Sequence, residues 1–187
     1  MNRFTTAILT LLSIFIISGC GNEHKSKSSL DFSFSENIGT KLADIYDVLD
    51  ISQDQLTEDN SSGMFCFNTP VTYNGTDLTK YLLFTVADDT LYGGGYFYIT
   101  DGKSDVAWNL LQSIKIELTE KYGEPTTYPG LSNRISTLES FDDCKTPAEY
   151  TESWSAADDN KGEIKLTLMA LEQRLSIQVQ YAAFNLK

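Results

Sequence analysis

Thr79–Ile99 reads TKYLLFTVADDTLYGGGYFYI, and the way this stretch folds decides the architecture. Two runs rich in aromatic and aliphatic residues, about 79–87 and 91–99, flank Asp88-Asp89, the pattern of a β-hairpin. A two-residue turn at Asp88-Asp89 and a four-residue turn spanning 87–90 predict the same facing. Val86 then meets Leu91, Phe84 meets Gly93 and Leu82 meets Gly95. A large side chain opposite a glycine leaves room for something to press down on that face, most simply a helix. The other face carries Tyr81, Tyr92, Tyr96 and Tyr98, with Thr79 and Thr85 among them. Tyrosines on a sheet face can follow from strand preference alone. An exposed tyrosine cluster is also what binding surfaces use, being rigid and amphipathic, so these four form the candidate binding face.

Downstream, the covering helix is easy to find. Ser104 is the expected N-cap; Ala107, Leu111, Ile114, Leu118 and Tyr122 trace one stripe with Leu110 beside it; Gly123 and Pro125 stop the helix. Residues 126–147 carry no clear period. Three strands are then expected, at about 149–156, 163–171 and 175–184. With a turn at Glu172-Gln173, Ile164, Leu166, Leu168 and Ala170 share a face with Leu175, Ile177, Val179 and Tyr181. Polar residues line the reverse, the mark of an antiparallel sheet covered on one side.

Upstream, Leu30 to Phe34 alternates and is expected as a short edge strand. Thr40 to Asp50 reads as a helix with Leu42, Ile45, Tyr46 and Leu49 on one side. Ser52 to Leu56 adds a further turn, Glu58 to Gly63 a loop, and 64–72 a strand that Asn74-Gly75 turns into the next.

The whole predicts an α+β fold: an antiparallel sheet of about six strands with two helices packed on one face. It is built as two helix-strand-strand-strand units. This element order resembles the tandem modules of β-lactamase inhibitor proteins and the single module of small outer-membrane assembly lipoproteins. The hairpin followed by a helix ending Lys121-Tyr122-Gly123-Glu124-Pro125 also resembles many uncharacterised bacterial lipoproteins.

The chain begins with a positive residue, Arg3, then an apolar run from Phe4 to Ile17, then Ser18-Gly19. That order reads as a secretory signal peptide. The run is too short and too interrupted by Thr5, Thr6, Thr10 and Ser13 for a membrane span of about 20 residues. Ile17-Ser18-Gly19-Cys20 resembles the bacterial lipobox, an aliphatic residue, two small ones and a cysteine. The resemblance implies that Cys20 receives a diacylglycerol and becomes the first residue after cleavage. Two or more acyl chains hold a protein on a bilayer where one is marginal. The expected organisation is a cleaved signal peptide at 1–19, a lipidated cysteine and tether at 20–30, and a single domain at 31–187. As a polar linker, 21–29 would span roughly 15–18 Å, keeping the domain near the membrane.

The formal charge is −12, and loss of Arg3 with the leader makes it one unit more negative. Such a chain does not suit phosphate-backbone binding, so no nucleic-acid partner is expected. After Cys20, the remaining cysteines are Cys66 and Cys144. Outside the cytoplasm an even pair reads as a disulfide closing a long loop, the alternative being two separate buried thiols. His24, the single histidine, sits in the tether, so the folded domain has none for Ser-His or Cys-His catalysis or for a zinc site. The doublets Asp88-Asp89, Asp142-Asp143 and Asp158-Asp159 fall in expected turns, where Asp satisfies local N–H groups. Asp158–Gly162 begins like a calcium loop, but glycine comes a residue early and the position-twelve ligand is Met169. Gly93–Gly95 lacks nucleotide-loop spacing. Neither a cofactor nor a metal is expected.

The leading functional expectation is a non-enzymatic, lipid-anchored binding or assembly module facing the periplasm or exterior. Its partners would be the membrane, through the N-terminal lipid, and a protein or glycan of the envelope. The alternative is a tethered hydrolase or carbohydrate-binding domain using acids in the 126–160 region, and a third is a structural lipoprotein without a dedicated ligand.

Overall fold

The computed structural model describes residues 29–59, 62–101, 104–128, 148–156, 162–171 and 174–184. The leader, Cys20, Cys144 and the doublets at 142–143 and 158–159 lie outside the described residues, as does most of the unpatterned 126–147 stretch. Helix α1 (Leu42–Val48) comes first. Strands β1 (Leu56–Asp59), β2 (Met64–Phe67), β3 (Val71–Tyr73), β4 (Thr76–Phe84) and β5 (Leu91–Asp101) follow. Helix α2 (Asp105–Tyr122) then leads into β6 (Thr126–Tyr128), β7 (Ala148–Ser155), β8 (Gly162–Leu171) and β9 (Arg174–Ala183). The pairing is antiparallel throughout, in the order β1-β2-β4-β5-β9-β8-β7-β6, with β3 paired to the start of β4. The fold is therefore α+β, with two α-helices among the described residues.

The expected count of about six strands is too low. β1 occupies residues expected to end a helical turn and begin a loop, and β6 arises in the unpatterned stretch. The strand expected over 64–72 is interrupted at 68–70, because Pro70 has no N–H for a ladder. What holds is the antiparallel sheet with an apolar side. Ile164, Leu166, Leu168 and Ala170 on β8 face Leu175, Ile177, Val179 and Tyr181 on β9, and all are buried. Helix α2 begins where Ser104 Oγ accepts from the Ala107 N–H (3.2 Å) and ends at Gly123, whose φ of 85° few other residues adopt. Its Ala107, Leu110, Leu111, Ile114 and Leu118 are buried, in contact with β7, β8 and β9. Helix α1 contributes Ile45, fully buried, to the same core.

The β4–β5 hairpin departs from the expected register by one residue. Thr85 N–H donates to Thr90 O at 2.9 Å, so Phe84 faces Leu91, while Leu83 already faces Gly93. Tyr92 is the extra residue of a bulge. Leu82 consequently meets Gly94, and Tyr81 meets Gly95. Because the side-chain period of a strand is two, a slip of one exchanges its faces. Tyr96 and Tyr98 therefore lie on the core side with Leu82, and Tyr81 lies on the reverse.

The segment pressed onto the glycines also differs from expectation. Leu30, Phe32 and Phe34 are buried and alternate with exposed Asp31 and Ser33, but they form no strand. They run as a strap over the sheet's apolar side and end in a 3-10 turn, Ser33–Asn37. Phe34 sits directly over Gly94: a Cβ there would come 3.0 Å from Phe34 Cζ and 2.6 Å from Tyr81 O. Burying that ring contributes roughly 2–3 kcal/mol.

Two side chains pin the strap. Tyr96 OH donates to Asp31 O at 2.6 Å and accepts from Asp31 N–H at 3.2 Å. Glu117 of α2 accepts from the Leu30 N–H through Oε1 (2.9 Å) and from Tyr73 OH through Oε2 (2.7 Å). Burial pushes the Tyr96 phenol up to about 12, with the charges of Asp31 and Glu117 adding to burial and the Asp31 backbone bond opposing it. The unfolded chain loses that proton near pH 10. The folded chain holds it longer, so the contribution of Tyr96 is complete below pH 10 and is lost as pH rises toward 12. Urea denaturation at pH 8 and pH 11 is expected to show this loss, with a shallower loss in Tyr96→Phe. Equal losses in the two proteins would show that the strap is not held by this phenol.

Candidate functional site

The described structure has two surfaces where chemistry could occur, on opposite sides of the sheet. On the apolar side, α2 and β7 leave a cavity of about 300 Å3 lined by Trp108, Leu111, Gln112, Lys115, Tyr150, Glu152 and Leu166. Helical spacing places the four α2 residues on one flank, at i, i+3, i+4 and i+7. Strand alternation brings Tyr150 and Glu152 inward together. Lys115 Nζ lies 2.6 Å from Glu152 Oε1, and the Tyr150 hydroxyl donates to the same oxygen. Lys115 Nζ also lies 3.5 Å from Tyr150 OH.

Glu152 is the one carboxylate among the described residues that line this cavity. Its side chain is 3% exposed, yet only one of its oxygens is occupied. Oε2 is buried without a hydrogen-bond partner. Burial pushes the Tyr150 phenol up, and the bond and charge of Glu152 push it further. For Lys115, burial acts to lower the pKa, but the hydrogen bond and charge of Glu152 outweigh it and hold the ammonium above its ordinary value. A compensated ion pair thus lines the cavity, and the second oxygen of its carboxylate is buried without a partner. Two residues along β7, the indole N–H of buried Trp154 likewise has no partner.

On the reverse side, one row crosses the sheet from Thr79 through Phe97, Gln178 and Thr167 to Thr151. Gln178 Nε2 donates to Tyr81 OH at 2.7 Å, and the Tyr81 ring lies 5.9 Å from Phe97. Beyond this row Ile99 is 55% and Met169 39% exposed. No described helix packs over this surface.

The four tyrosines do not form the single exposed patch expected of them. Tyr81 and Tyr96 are both buried, on opposite sides of the sheet; Tyr98 is half-buried against the core, and Tyr92 is half-buried at the bulge. Cys66 is half-buried on β2, opposite Tyr81. Burial and the nearby Asp59 push its thiol up. It makes no disulfide among the described residues, and its expected partner Cys144 is not one of them.

Asp88 and Asp89 are turn residues, as expected: Asp88 accepts from Lys41 Nζ (2.8 Å) and from the Thr85 hydroxyl. Those bonds hold its carboxyl well below the usual carboxylate range. Among the described residues, no three His, Cys, Asp or Glu side chains come together as a metal site, and no helix is long and apolar enough to cross a membrane. Glu152 and Glu117 were not singled out from sequence. The available signal was a charge at an inward position of an otherwise apolar or aromatic stripe.

No family model, no curated protein and no solved structure matches this chain. Its function is therefore argued from its own geometry. Lys115→Met is expected to cost about 1–3 kcal/mol in urea denaturation, less than for a fully buried pair because the lysine is partly solvated. Adding Glu152→Met should recover most of that loss. If the single variant matches the parent, the pair is not coupled.

Proposed function

We propose that the chain is a lipid-anchored extracytoplasmic binding module, carried on Cys20 and engaging a protein of the envelope through the open side of its sheet. The supporting observation is the asymmetry of that sheet. One side is closed by the strap and α2. The other presents exposed Ile99 and Met169 with half-buried Phe97 among Thr, Ser and Gln side chains, beside a buried Tyr81. An apolar centre with a polar surround is the composition of protein-binding surfaces.

The attachment of the strap fits the same reading. A tether from Cys20 would deliver its pull at Leu30 and Asp31, the two residues whose backbone is bonded to Glu117 and Tyr96. A Cys66–Cys144 disulfide would further fasten the segment before β7 to β2. The resemblance to tandem inhibitor-type modules rests on a helix followed by antiparallel strands occurring twice, with β5 and β9 forming the joint.

Two measurements test this reading. Cells expressing the full chain and fed radiolabelled palmitate should yield labelled protein, and Cys20→Ser should abolish the label; unreduced protein should offer no free thiol at Cys66 or Cys144. Recovery of unlabelled, full-length protein from the cytosol would defeat the anchor. Separately, a photocrosslinking residue at Ile99 or Met169 should give a discrete adduct in the native envelope. The same residue at exposed Val106 or Ile116 of α2 should not. Adducts of equal yield from both sides would leave the sheet with no claim to the partner.

A further inference from the structure

We infer that the cavity between α2 and β7 is a binding site for a neutral, polyhydroxylated ligand: one or two sugar units at the end of a glycan. This goes beyond the reading above, uses the opposite side of the sheet, and does not depend on the anchor or on the protein partner.

The starting point is Glu152 Oε2, a carboxylate oxygen held 3% exposed at side-chain level with nothing bonded to it. Buried acceptors of this kind are rare because their lost hydration is otherwise unreplaced. The other oxygen shows that the site is built. It takes both Lys115 Nζ and the Tyr150 hydroxyl, which fixes the carboxylate plane.

The same bonds select the ligand class. Lys115 already neutralises Glu152, so an ammonium ligand would meet a second cation a few ångströms away. An anionic ligand would meet the unpartnered carboxylate oxygen. A neutral hydroxyl donor fills the vacancy without disturbing either charge.

The walls complete the match. Trp108 and Tyr150 offer aromatic surface for the C–H face of a sugar ring, and Gln112 offers an amide that can both donate and accept. A volume of about 300 Å3 is at the small end for ligand sites, enough for a terminal unit and too small for an internal stretch of polymer. The chain has two tryptophans, and only Trp108 is in the lining, so ligand entry should register in its fluorescence.

The test is titration of the full chain with glucose, galactose, N-acetylglucosamine, maltose and chitobiose, reading tryptophan fluorescence and calorimetric heat. At least one sugar should saturate, with the fluorescence change lost in Trp108→Phe. Glu152→Gln should weaken binding by about tenfold or more. Gln112→Ala, on the half-buried flank of α2, should weaken it by about threefold with unchanged thermal unfolding. If Glu152→Gln does not fold, Gln112→Ala and Trp108→Phe decide. The inference is overturned by no saturation at about 50 mM, by wild-type affinity in Gln112→Ala and Glu152→Gln alike, or by tighter binding of putrescine or glucose 6-phosphate than of any neutral sugar. A crosslinked partner at Ile99 alongside a silent cavity would leave the sheet-face reading standing and remove this one alone.

Discussion

The carboxylate of Glu117 joins three parts of the chain that are remote in sequence. It belongs to α2, accepts from Leu30 in the strap 87 residues away, and accepts from Tyr73 in β3, 44 residues away. An acid 8% exposed is tolerable because both of its oxygens are occupied by donors that would otherwise be buried and empty. Remove it, and the strap loses a backbone partner while the Tyr73 hydroxyl is stranded in the core. Tyr96 makes the second attachment one residue further on. The apolar side of the sheet is thus closed by a segment with no secondary structure of its own at its start, held by two polar side chains over an apolar contact surface.

Glu152 makes an instructive contrast. It too is a buried acid on the apolar side, but its bonds converge on a single oxygen and the other is buried without a partner. Glu117 is closed on both oxygens and acts as a fastener; Glu152 is closed on one and keeps the other unpartnered. The same residue type, at similar burial, is left in two different states by the number of donors that reach it. On the proposed reading the protein recognises two things from two sides, a protein on the open sheet and a sugar beside α2. The two sides are separated by the thickness of one sheet.

That division is set by the bulge at Tyr92. Without the extra residue, Tyr96 and Tyr98 would point away from the core, and Tyr96 could not reach Asp31. With it, Gly94 falls beneath Phe34, where no side chain larger than hydrogen fits without displacing backbone. The glycine run is therefore neither a nucleotide loop nor loose chain. It is where the Phe34 ring of the strap rests on the sheet backbone.

What the sequence determined by itself was whatever local period can express. The ends and stripe of α2, the inward residues of β8 and β9, the Asn74-Gly75 turn and the turn role of Asp88-Asp89 were all legible, because each depends on neighbours within a few residues. Only the tertiary structure decided the register of β5 on β4, since the bulge at Tyr92 has no local period to announce it and its result is to set Gly94 beneath Phe34. It also decided that β1 and β6, four and three residues long, are strands: segments so short carry no period and take their conformation from the strand beside them. The roles of Glu117, Glu152 and Lys115 were hidden for a related reason. Whether a buried charge fastens the fold or faces a ligand is settled by donors tens of residues away, and local sequence carries no trace of them.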